Sequence, residues 1–65
     1  MLPTADEIQG IQPRVTERAN GLGWVAASPA GAPIQIGVWN QSREGASEDF
    51  KEALKRWARI LEEQP

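Results

Sequence analysis

The chain has no cysteine, no histidine and no tyrosine among its 65 residues, and only one phenylalanine. Without cysteine there is no disulfide, and without a Cys/His set there is no structural zinc to reinforce so small a domain. A chain of this length buries only about 60 % of the surface that its unfolded form exposes. Each large apolar side chain therefore counts, and association with a partner or a second copy is a natural remedy. The same absences remove the groups that most often carry acid–base or nucleophilic chemistry near neutral pH. The carboxylate neighbours Asp6/Glu7, Glu48/Asp49 and Glu62/Glu63 read as solvated charge at helix ends, and none follows the alternating ligand spacing of a metal loop. Gly21-Leu22-Gly23 lacks the third glycine and the Lys-Ser/Thr pair of a phosphate-cradling loop. The expectation is a non-catalytic chain with no cofactor, no metal and no small-molecule substrate.

Long apolar runs are missing too. Nothing approaches the roughly 18 consecutive apolar residues of a membrane span, and MLPTADEIQG has no basic segment followed by an apolar one. A soluble, cytoplasmic protein without a membrane partner is expected. Seven basic against nine acidic residues give a net charge of −2, which offers no general attraction for nucleic acid. The apolar share of 40 % and the charged share of 25 % are those of a folded domain rather than a disordered one.

The strongest positive signal is at the C-terminal end. Ser47 suits an N-cap, Glu48 and Asp49 place negative charge in the first turn, and no glycine or proline recurs before Pro65, which predicts a helix over about 48–63. Phe50, Ala53, Leu54, Trp57, Ala58 and Leu61 recur at spacings of three and four, forming one apolar stripe with Ile60 at its margin. The middle reads as strands over Leu22–Ser28 and Ile34–Trp39, joined by a Pro29-Ala-Gly-Ala-Pro33 hairpin loop. Asn20-Gly21 favours a two-residue type I′ turn that folds Val15–Ala19 back as a third strand, although Pro13 at a helix start and Gly21 after its end is a competing reading. Residues 1–12 form an arm or short helix, with the capping-box pattern Thr4-x-x-Glu7 and Ile8 or Ile11 docking on the sheet edge. Residues 13–65 then make one small α+β domain, a three-stranded antiparallel meander packed against a C-terminal helix.

Two of the three tryptophans, Trp24 and Trp39, stand in the strands. A five-residue loop that sets Ser28 opposite Ile34 pairs Trp24 with Val38 and Gly23 with Trp39. One face then carries Leu22, Trp24, Ala26, Ile34, Ile36 and Val38 and meets the helix, with Trp24 beneath Phe50, Leu54 and Trp57. The other face carries Gly23, Val25, Ala27, Gln35, Gly37 and Trp39. On it Trp39 either covers the bare surface of Gly23 and Gly37 or offers an aromatic anchor to a partner, two roles that are compatible. The expected partner-binding set is Trp39 and Val25 as apolar centre with Gln35 and Arg18 as polar margin.

Lys51, Lys55 and Arg59 stand four apart with Arg56 beside them. Interleaved glutamates make this a solvated helix face, and contact with phosphates is the alternative. Three antiparallel strands followed by a helix across one face resembles the layout of the plant ethylene-response DNA-binding domains and of the arm-binding domains of phage-type integrases. Those families read DNA with arginine-rich sheet faces, whereas Val25, Ala27, Gln35, Gly37 and Trp39 stand here, so no functional residue carries over. The reading is therefore a protein-binding module acting by surface occupation, of the size and composition of a bacterial or phage regulator or inhibitor. A nucleic-acid binder is the alternative, and a homodimer built on the Trp39 face is a further one.

Overall fold

The computed structural model describes residues 2–63. It shows a short helix α1 (Ala5–Gln9), three strands β1 (Arg14–Glu17), β2 (Trp24–Ala27) and β3 (Gly37–Asn40), and a long helix α2 (Arg43–Glu63). The strands form one antiparallel sheet in the order β1-β2-β3. One sheet face is packed against α2, and α1 packs on α2 as well. The fold class expected from the pattern is the one observed, and the strand reading of the segment after Pro13 holds over Arg14–Glu17.

The capping box forms as the sequence predicts. Thr4 Oγ1 accepts the Glu7 N–H at 3.2 Å, and Glu7 Oε1 accepts the Thr4 N–H at 3.3 Å. A helix of five residues is unstable alone, and here docking secures it: Ile8 is fully buried and Ile11 nearly so. Both join Ala26, Ala46, Phe50 and Leu54 in the core. The arm thus lies against α2 rather than on the sheet edge.

Helix α2 starts at Arg43 and not near Glu48. Ser42 provides the cap, its Oγ accepting the Gly45 N–H at 2.9 Å while its carbonyl accepts the Ala46 N–H at 3.0 Å. Asn40 Oδ1 in turn accepts the Ser42 N–H at 3.0 Å, and Asn40 Nδ2 donates to Asp49 Oδ2 at 2.9 Å. Gly45 reads as a helix breaker by propensity, yet it is needed at this place. A β-carbon there would run into the Asn40 carboxamide, so glycine lets the end of β3 and the first turn of α2 close on each other.

The hairpin register is displaced by two residues from the expected one. Val25 faces Trp39 and Ala26 faces Val38, because the connection takes in residues 28–36 rather than 29–33. Ser28 meets Ile36 through its N–H (2.9 Å) and its Oγ (3.1 Å), and the Gln35 carboxamide spans the loop to the Pro29 and Ala32 carbonyls. Side chains alternate with period two, so a two-residue displacement leaves each residue on its expected face. Ala26 is buried, while Trp24, Ile34, Ile36 and Val38 are partly buried against the core.

Two residues assigned to the core are not there. Leu22 is 64 % exposed, because Gly21 (φ 71°) and Gly23 (φ 109°) turn the chain on either side of it. Asn20-Gly21 does not form the type I′ turn, which needs positive φ at Asn20 as well. The Gly21 N–H instead closes on the Arg18 carbonyl at 2.9 Å, and Asn20 Oδ1 accepts the Leu22 N–H at 3.2 Å. Trp57 is 43 % exposed. It lies seven residues, about two turns, beyond Phe50 on the same stripe, where α2 has outrun the sheet that covers Phe50.

Candidate functional site

The cross-strand rows define the outer face of the sheet. One row is Arg14, Ala27 and Gly37, and the next is Thr16, Val25 and Trp39. Val15, Ala26 and Val38 alternate with them and face α2. The outer face thus holds a short apolar ridge, Val25 and Trp39, flanked by Thr16 and by the small residues Ala27 and Gly37.

Trp39 is half exposed, yet it is fixed. Its Nε1 donates to the Leu22 carbonyl at 2.8 Å. A β-carbon on Gly23 would lie 2.5 Å from Nε1 and 2.7 Å from Cε2, so the indole rests directly on the glycine backbone, at a φ that only glycine adopts readily. Of the two glycines expected beneath the ring, Gly23 is there and Gly37 is not. The nearest atoms to a β-carbon on Gly37 are Ala27 Cβ at 3.9 Å and the Ala26 carbonyl oxygen at 4.0 Å.

Beside the indole, Gly21, Leu22, Gly23, Trp39 and Gln41 line a shallow open depression. Leu22 is the residue sequence reasoning missed here, and a leucine between two glycines is the signal that marks it as a turn residue. Of the expected margin, Arg18 is exposed and sits in the β1–β2 turn, its N–H bonded to the Gly23 carbonyl at 3.0 Å. Gln35 lies in the opposite connection with its amide directed into that loop. Trp39 and Val25 are therefore adjacent, with Arg18 towards one end and Gln35 towards the other.

The basic residues of α2 take a different position. Lys51 and Lys55 stand at the rim of a pocket of about 170 Å³ whose walls include Ile11, Pro13 and Leu54, on the side of the helix that faces the α1–β1 link. Lys55 also pairs with Glu52 at 3.4 Å, both side chains exposed. Arg56 and Arg59 are exposed. Arg43 lies over the Trp24 ring, 5.7 Å from its centre, within cation–π range. No helix among the described residues is long and apolar enough to cross a membrane. No protein-family model matches this chain, and neither curated proteins nor solved structures give a significant match to it.

Proposed function

We propose that the protein is a non-catalytic protein-binding module that works by occupying a partner's surface with the outer face of its sheet, in the manner of a small bacterial or phage regulator or inhibitor. The observation that carries this reading is the state of Trp39, half exposed and held by its Leu22 hydrogen bond and its seat on Gly23. An aromatic already fixed in one orientation loses little freedom when a partner encloses it, and aromatic side chains dominate binding energy in such centres. Val25 and Leu22 extend the apolar contact, with Thr16 and Arg18 at its polar edge. A cysteine-free chain suits the reducing cytoplasm.

The test is affinity capture from native lysate, with nuclease present, comparing the wild type with Trp39→Ala. The expected result is a discrete protein captured by the wild type and lost by the variant at unchanged far-UV circular dichroism. Capture that nuclease abolishes, or that falls steeply with salt and with charge reversal at Lys51, Lys55, Arg56 and Arg59, would favour nucleic acid instead.

A further inference from the structure

The two edges of the sheet are not alike. The β1 edge is guarded by Pro13 and by Arg14, Glu17 and Arg18, whereas residues 34–42, IQIGVWNQS, contain neither charge nor proline. Natural sheets blunt their open edges with charge, proline or cover, so a bare β3 edge calls for an explanation. The backbone bonds show which groups point outward. The Ser28 N–H bonds to Ile36, and the Arg18 N–H bonds to Gly23. By the alternation of antiparallel ladders, the even-numbered residues of β2 then bond β3 and its odd-numbered ones bond β1. The N–H and C=O groups of Gly37 and Trp39 are left facing away from the sheet. Gly37 is bare on the outer face, because the Trp39 indole leans over Gly23 instead.

We propose that the β3 edge is a self-association surface on which a second copy of this chain pairs antiparallel, joining two three-stranded sheets into one of six strands about a two-fold axis through Val38. In that register Gly37 of each strand lies opposite Trp39 of the other, so the residue with no side chain meets the bulkiest one. The four outward N–H and C=O pairs of the two strands satisfy one another.

The position of α2 supports the same arrangement. The helix packs chiefly over β3 and β2. With strands about 4.8 Å apart, its axis stands about 5 Å from the two-fold. The two α2 helices then run antiparallel about 10 Å apart, a normal helix-packing distance. The flank they would present is known from its neighbours. Asp49 bonds Asn40 at the end of β3, whereas Lys51 and Lys55 look towards the α1–β1 link. Ile60, three turns beyond Asp49, therefore lies on the β3 side, and Trp57 stands between it and the line of Phe50, both about half exposed. Antiparallel pairing sets Asp49 and Glu52 of one helix near Arg56 of the other, so charges complement. Edge pairing over three residues is small beside the roughly 1,000 Å² that a stable interface requires. The paired helix flanks add two indoles and two isoleucine side chains to it.

The experiment is sedimentation equilibrium from low to high micromolar concentration for the wild type, Gly37→Lys, Trp57→Glu and Trp39→Ala. A lysine at 37 has room in the single chain, its β-carbon meeting nothing closer than 3.9 Å. It would set a solvated charge beside the incoming strand. The wild type should form a dimer, and Gly37→Lys and Trp57→Glu should each weaken it at least about tenfold, since each contact is lost twice over. Trp39→Ala should abolish partner capture and leave the strand pairing, which runs through backbone groups, whereas Trp57→Glu, on α2 and away from the outer face, should weaken the dimer and leave capture in place. A wild type monomeric throughout, or a dimer indifferent to Gly37→Lys, overturns the proposal. Hydrogen exchange on the wild type gives a reading that does not depend on any variant folding. The Gly37 and Trp39 amides should become protected as concentration rises, and exchange rates unchanged across the dimer transition would equally rule the β3 edge out.

Discussion

Helix α2 carries one apolar stripe along its length, and its two halves meet different fates. In the first half Ala46, Phe50, Ala53 and Leu54 are buried, with the sheet and α1 packed on this part of the helix, and Asn40, Ser42 and Gly45 fasten the first turn to β3. In the second half Ala58 is buried and Leu61 partly so, while Trp57 and Ile60 stand about half exposed. Periodicity states that a helix has an apolar side. It does not state how far the rest of the chain reaches along it, and a sheet of four-residue strands reaches about 13 Å where a helix of this length runs about 30 Å.

The largest effect should come from the covered half. Phe50 has no exposed surface, and truncation of a buried phenylalanine costs about 3 to 5 kcal/mol. That equals the whole stability of a domain this small. Phe50→Ala should therefore be largely unfolded without denaturant, as far-UV circular dichroism would show. A cooperative urea transition retained near the wild-type midpoint would mean that the core is elsewhere.

A smaller but more specific effect is expected at Gly45. Alanine normally gains about 1 kcal/mol over glycine inside a helix. Here its β-carbon would collide with Asn40, and such overpacking costs typically about 1 to 3 kcal/mol. Gly45→Ala should lower the urea midpoint, and the double variant with Asn40→Ala should recover part of the loss. If Gly45→Ala raised the midpoint, the close approach of β3 to α2 would not exist.

These positions also show what was readable beforehand. The capping box at Thr4, the apolar stripe from Phe50 and the alternation along β2 and β3 are local patterns, and each appears in the folded chain. The loop over residues 28–36 was not readable, because its length is set by the Gln35 amide reaching back to Pro29 and Ala32, a contact without a sequence signature. Nor was the start of α2, which depends on Asn40 and Gly45 meeting in space. The face of Trp39 was legible because faces depend only on odd or even position. Its fixation was not, since that needed Leu22 in a turn rather than in a strand.

On the outer face, Trp39→Ala removes one hydrogen bond to the Leu22 carbonyl and uncovers Gly23. About 1 to 2 kcal/mol is expected, with the chain still folded. Iodide should quench Trp39 fluorescence more weakly than free indole, because one face of the ring is covered. A loss as large as that of Phe50→Ala would place this indole in the core and leave no outer face to bind with.

The smallest effect belongs to the uncovered half of α2. Trp57→Ala gives up partial contact with neighbouring turns, and alanine recovers a few tenths of a kcal/mol in helix propensity. The net cost in the single chain should be about 1 kcal/mol or less. The measurement is a urea midpoint at low micromolar concentration, where association does not contribute, repeated at high concentration, where it does. The low-concentration midpoint should barely move, because the sheet ends before it reaches Trp57. The high-concentration midpoint should fall further, because a partner that binds only the folded state stabilises it by mass action. A cost of several kcal/mol already present at low concentration would mean that the apolar stripe is covered along its whole length, and the contrast between the two halves of the helix would be lost.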